Sequence, residues 1–133
     1  MIGLDTSAII DLFKKDASLI KLLEKINDSN DKVALNQITY LELMFGLNFE
    51  DESSKREEEY YDSLFGSSIV IQLNNSSCKK AAKISLQLKK IGKTIEQSDC
   101  TIAAIFITNG INKIITRNKK HFENIKELEI IEY

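Results

Sequence analysis

The sequence predicts an α/β fold, with a mainly parallel central sheet of about five strands and helices on both faces. Three observations predict it. Short β-branched runs alternate with longer amphipathic segments, in the order β-α-α-β-α-α-β-α-α-β-α-β. Strands separated by helices need crossover connections, which make their neighbours parallel. The 133 residues hold no proline and only five glycines, which favours helices joined by short polar turns.

Each element has its own signal. Ile2–Asp5 is a short apolar run that ends in an acid and the helix-starting pair Thr6-Ser7. Ala8–Lys14 reads as a short helix. Ser18–Asn27 reads as an amphipathic one through Leu19, Leu22, Leu23 and Ile26. Lys32–Asn36 is a second strand, and Gln37–Leu47 an apolar helix closed by Gly46 or Asn48. Ser53–Phe65 is a charged helix that carries Tyr60, Tyr61, Leu64 and Phe65. Ser68–Leu73 is a β-branched third strand. Ser76–Ile91 is amphipathic, and Glu96–Asn109 is an apolar helix stopped at Asn109-Gly110. Lys113–Thr116 is a fourth strand, Lys119–Asn124 a short helix and Glu129–Glu132 a last strand.

Size and composition narrow the function. A chain of 133 residues builds one core, so residues 1–133 are expected to form a single domain. The net charge of −2 excludes a molecule that is basic overall, so nucleic acid would be met by a local patch or through bound cations. The longest apolar run, Ile102–Ile107, is too short to span a membrane, and the start of the chain does not read as a signal peptide. Cys78 and Cys100 make no disulfide framework, which points to a reducing cytoplasm. A catalytic cysteine would need a histidine partner, and His121 is the only histidine; a buried free cysteine is more often core.

Three acids stand out. In parallel sheets sites form at the carboxyl ends of strands, and Asp5 ends the first strand. Its plainer reading is an N-cap. Glu42 lies about 40° from Ile38 on the helical wheel, with Phe45 and Phe49 about 20° to either side of Ile38. Ile95, Asp99, Ile102 and Phe106 repeat the same spacing. Two helices are thus expected to carry one carboxylate each within an apolar stripe. A buried ionised carboxylate needs a base, a proton or a metal ion as partner. No Lys or Arg lies in either stripe. A cluster of acids without Cys or His ligands suits Mg²⁺ or Mn²⁺ and argues against structural zinc.

These residues resemble a PIN domain, and within that family the VapC-type toxins of toxin–antitoxin pairs. MIGLDTSAII resembles the first motif, an apolar strand ending in Asp and Thr/Ser. ITYLELMFGL resembles the second, with Glu42 and Gly46 four residues apart. IEQSDCTIAAI resembles the third, with Asp99 before a small apolar helix, and IITRNKKHFENI the fourth. The four motifs occur in order over nearly the entire chain.

The resemblance implies a divalent-metal-dependent endoribonuclease toxin that hydrolyses RNA phosphodiester bonds. Asp5, Glu42 and Asp99 would be its metal-binding acids, with Asn118 at the fourth catalytic position, where many members carry an acid. Glu96 is the nearest spare acid, though its position also suits an exposed helix start. Thr6, Ser7 and Thr116 would hold carboxylates or waters in orientation, or simply cap helices. Arg117, Lys119 and Lys120 would position the RNA backbone. Lys89, Lys90 and Lys93 are either a second such group or a solvated helix face. His121 reads as a surface or hinge residue, with phosphate contact as the alternative. The implied partners are a cognate antitoxin protein, gripped near the acidic Glu50–Glu59 block and its flanking aromatic residues, an RNA substrate and a second copy in a homodimer.

Two other strand-Asp families fit less well. A haloacid-dehalogenase-like phosphatase needs a second acid where Ser7 stands. A response-regulator receiver needs a middle strand ending in Asp, and here that strand ends Leu73-Asn74-Asn75. The remaining alternative is a PIN-like module that binds RNA or protein without cutting.

Overall fold

The computed structural model describes all 133 residues. Five strands form one sheet in the order β3-β2-β1-β4-β5, and every neighbouring pair is parallel. The strands are β1 (Ile2–Leu4), β2 (Val33–Asn36), β3 (Ile69–Ile71), β4 (Lys113–Ile115) and β5 (Glu129–Ile131). Seven helices join them: α1 (Thr6–Phe13), α2 (Ala17–Asp28), α3 (Gln37–Phe45), α4 (Ser53–Gly66), α5 (Asn75–Lys90), α6 (Gln97–Thr108) and α7 (Lys119–Phe122). The order of elements is the one read from the sequence.

Alternation along the strands divides the core in two. Ile2, Leu4, Leu35 and Ile115 pack with residues of α1 to α4 on one face. Ala34 and Ile114 pack with residues of α5, α6 and α7 on the other. The α6 helix is buried nearly all round, through Cys100, Ile102, Ala103, Ala104, Ile105 and Phe106. Its Phe106 lies against Gly3, where an added Cβ would meet the ring at 2.5–2.7 Å. Glycine is required here by proximity, and the contact sets α6 against the central strand.

The stripe assigned to α3 is corrected by the structure. Phe45 is 81% exposed and Phe49 is 63% exposed, and Phe49 lies beyond the helix. The buried face of α3 runs through Thr39 and Leu43 instead. The helix ends at Gly46, so the longer periodicity never forms one face. Glu42 is half-buried at the edge of that face rather than beneath apolar side chains. The α6 stripe is as expected: Ile102 and Phe106 are buried, and the Asp99 side chain is 13% exposed.

The topology places one crevice. From β1 the chain winds outward through β2 and β3, then returns to lay β4 and β5 on the other side of β1. The order therefore reverses between β1 and β4. Ligand sites of open α/β sheets lie at such a reversal, at the carboxyl ends of the strands.

Candidate active site

Asp5 follows β1 and Thr116 follows β4, one on each side of the reversal. Asp5 is 4% exposed and keeps its cap role: Oδ1 accepts from the Ala8 N–H at 3.0 Å. The same oxygen accepts from the Ser7 hydroxyl at 2.8 Å, while Oδ2 accepts from Thr116 Oγ1 at 2.6 Å. Both hydroxyls are themselves held. The Arg117 N–H donates to Ser7 Oγ at 3.1 Å, and the Asn118 N–H donates to Thr116 Oγ1 at 2.9 Å. Asp5 is thus fixed by a layer of donors from the first helix and the fourth strand end.

Glu42 sits on α3, and its Oε1 accepts from Thr6 Oγ1 at 2.5 Å. Asp99 sits in the first turn of α6, with Oδ2 3.0 Å from His121 Nδ1. None of the three acids forms an ion pair with a lysine or arginine. They nonetheless feel one another. Burial pushes the Asp99 carboxyl up to about 6; the His121 imidazole opposes the shift, and Glu42, Asp5 and Glu96 add to it. Burial also raises Asp5, the hydroxyls of Thr116 and Ser7 and the Ala8 N–H offset part of the rise, and Glu42 adds a little.

Three like charges repel, and each carboxylate has turned to its own neutral or imidazole donor. As these side chains stand, no three carboxylate, imidazole or thiolate groups converge closely enough to hold an ion. The chemistry of the donor set still suits a hard divalent cation: three carboxylates, no lysine or arginine among them, and hydroxyls that orient two of the three.

Arg117, Asn118, Lys119 and Lys120 line one open hollow with His121 and Glu123. Arg117 has a second attachment that the sequence reading missed. Its Nη1 donates to Asp11 Oδ1 at 2.5 Å, and the Tyr133 hydroxyl donates to Asp11 Oδ2 at 2.6 Å. Asp11 is 6% exposed. The signal was available, since Asp11 lies four residues after Ser7 and so on the same side of α1. Lys119 lies 3.4 Å from Glu132 in an exposed pair. Lys89 and Lys90 end α5, and Lys93 lies beyond it; all three are exposed.

Two further residues were passed over. His121, read as a surface or hinge residue, touches Asp99. Asn36 is fully buried at the end of β2, where its Oδ1 caps the Thr39 N–H at 3.0 Å. Its Nδ2 is buried without a partner. Continuing the strand register puts Asn36 beside Asp5 in the row that includes Thr116.

Comparison with known proteins agrees with this architecture. The family model described as PIN domain matches residues 2–128. A protein of Rickettsia bellii named Ribonuclease VapC is 33% identical over 132 residues, covering 96% of this chain and 92% of that protein. Ribonuclease VapC1 of Methanocaldococcus jannaschii is 31% identical over 123 residues, covering 92% of this chain and 79% of that one. Among solved structures, VapBC-1 from nontypeable Haemophilus influenzae superposes with a TM-score of 0.82 at 30% identity, covering 99% of this chain and 98% of that one. VapBC2 from Rickettsia felis, bound to a DNA fragment from its promoter, gives a TM-score of 0.85 at 21% identity, covering 100% of this chain and 99% of that one. The fold, the four motifs in order and these likenesses together establish that the chain belongs to the PIN-domain family, in its VapC branch.

Proposed function

We propose that the protein is the endoribonuclease toxin of a type II toxin–antitoxin pair, a hydrolase that cuts RNA phosphodiester bonds with Mg²⁺ or Mn²⁺. The observation that supports this best is the acid group at the reversal of strand order, which no lysine or arginine pairs, in a chain similar over most of its length to proteins named Ribonuclease VapC.

Asp5, Glu42 and Asp99 would hold the ion. When bound, a divalent cation supplies an acidified water as nucleophile and neutralises charge gathering on the phosphate. The protein's own residues do the positioning. Thr116 and Ser7 hold Asp5 from two sides, so the rigid part of the site is the β1–β4 end. Thr6 steadies Glu42 and His121 steadies Asp99. Both of those contacts engage a single carboxylate oxygen. Glu42 and Asp99 would have to turn from these contacts toward the fixed Asp5 to share one ion with it. Asn118 enters as a neutral oxygen donor beside it. Lys120 meets the RNA backbone, where Lys119 and Arg117 add charge.

The partner is a cognate antitoxin. VapBC-5 from Mycobacterium tuberculosis, which this fold resembles, is named as a member of the VapBC family of toxin–antitoxin systems, and this chain keeps the exposed apolar side chains Leu41, Phe45 and Phe49 next to the acidic Glu50-Asp51-Glu52 segment that precedes α4. Exposed aromatic side chains rimmed by charge mark an interaction surface. The toxin is further proposed to act in the cytoplasm, as a homodimer. No helix is long and apolar enough to cross a membrane.

The test is cleavage of single-stranded RNA by the purified protein. Cutting that requires Mg²⁺ or Mn²⁺ and stops with EDTA supports the proposal. RNA binding with no metal-dependent cutting would favour the non-enzymatic PIN-like module.

A further inference from the structure

Beside the acids lies a second hollow, of about 480 Å³, that shares Asp99, Lys120 and His121 with the cleavage site and adds Thr94, Glu96 and Gln97, which have no role in cleavage. Thr94, Glu96, Gln97 and Asp99 line one side of it, and Lys120 and His121 the other, with Ile95 as its only apolar residue. We propose that it holds the nucleobase flanking the scissile phosphate, and that it selects bases carrying an exocyclic amine over uracil. This rests on the ribonuclease reading above and deepens it.

The position follows from shared residues. Asp99 belongs both to the acid group and to this hollow. Whatever fills the hollow is therefore one nucleotide or less from the bond that is cut. Lys120 and His121 also line the neighbouring cationic hollow with Arg117 and Lys119. The two hollows share a wall, as the phosphate and base of one nucleotide would require.

The chemistry separates the two. The neighbouring hollow carries three cationic side chains, Arg117, Lys119 and Lys120, against one carboxylate, Glu123, and suits a phosphate. The second hollow carries two carboxylates, Glu96 and Asp99, against a single lysine. A phosphate would be repelled there. Glu96 and Gln97 line this space with a carboxylate and an amide oxygen to offer as acceptors, and neither side chain is engaged in a hydrogen bond or ion pair elsewhere; Gln97 also lines the hollow between α5 and α6. Acceptors of this kind recognise an exocyclic amino group, as a carboxylate recognises the cytosine amine. His121 supplies a ring for stacking. Its Nδ1 contact to Asp99 pins the imidazole, so little ordering is left for the base to impose.

Two variants test the assignment, and both sites are exposed at the start of α6, where substitution does not threaten folding. Wild type, Glu96→Gln and Gln97→Ala are given a single-stranded RNA pool with randomised positions, with Mg²⁺ or Mn²⁺, and the cut ends are sequenced. Wild type should prefer cytosine over uracil next to the cut by about fivefold or more, and each variant should reduce that preference to about twofold or less. In parallel, the non-cutting Asp5→Asn protein is titrated in EDTA with rC6 and rU6, which differ at C4 (amine against carbonyl) and at N3 (acceptor against N–H donor). The cytosine oligomer should bind about fivefold tighter, and adding Gln97→Ala should erase the difference. Equal cutting or equal binding of the two bases by the unsubstituted hollow overturns the inference, as does a preference that survives both variants. An absence of any cutting by wild type overturns the ribonuclease reading alone, because the binding arm still decides whether the hollow selects its base.

Discussion

The ring of Phe106 on α6 lies over Gly3 of β1, at a distance that leaves no room for a side chain. Gly3 precedes Asp5 by two residues, and Phe106 follows Asp99 by two helical turns. One contact between helix and strand therefore sets the approach of two carboxylates that belong to different ends of the chain.

Gly3→Ala should destabilise the fold by about 1–3 kcal/mol, because the added methyl overpacks a closed interface. Urea unfolding checks this. The same variant should lose cleavage more than stability alone explains, since moving α6 moves Asp99. A variant as stable and as active as wild type would show that the contact is not what positions the helix.

The Asp99 carboxyl sits at about 6, above its ordinary value near 3.8, chiefly through burial. A group raised in the folded state stabilises the fold fully below its unfolded value and loses that contribution as pH rises through the folded one. The metal-free protein should therefore lose stability between ~pH 4 and ~pH 6 from this group. Asp99→Asn should raise the melting temperature in EDTA at ~pH 8 while doing little at ~pH 4. Equal effects at both would mean that the charge is not the cause.

Asp11 holds Arg117 and Tyr133 together from a buried position. Asp11→Ala leaves both partners without an acceptor and should cost about 1–3 kcal/mol, with Tyr133→Phe costing about 1 kcal/mol. Chemical denaturation measures both. If the Asp11 variant unfolds with the wild-type midpoint, the cluster does not bind the last strand to the first helix.

Phe45, 81% exposed, and its neighbours Leu41 and Phe49 are expected to meet the antitoxin. Phe45→Ser should weaken the complex about tenfold or more, without loss of fold, as measured by titration calorimetry with the cognate protein. Unchanged affinity would move the docking surface elsewhere.

Much of this was legible in the residues themselves. The alternation of strands and helices predicted the sheet, and Asp5 lies where its sequence position puts it, at the end of β1 beside the reversal of strand order. The spacing of Asp99 with Ile102 and Phe106 holds in α6, although Ile95 lies before the helix and its other faces are buried as well, through Cys100, Ala103, Ala104 and Ile105. Glu42 was read through the wrong face. Phe45 and Phe49 share its spacing, but α3 stops at Gly46 and buries Thr39 and Leu43 instead. Periodicity does not show where a short helix ends. The links Asp11–Arg117 and Asp99–His121 were illegible for another reason: each joins segments far apart in sequence, and only the order of strands brings them together. The empty hydrogen-bonding capacity of Asn36 is likewise visible only once its row in the sheet is known.

The most direct measurement is the rate at which Asp99→Asn cuts single-stranded RNA with saturating Mg²⁺, beside wild type and with folding confirmed by circular dichroism. If Asp5, Glu42 and Asp99 share one ion, the rate should fall by at least about 100-fold, a loss of several kcal/mol of transition-state stabilisation. A folded Asp99→Asn protein that cuts as fast as wild type would contradict it.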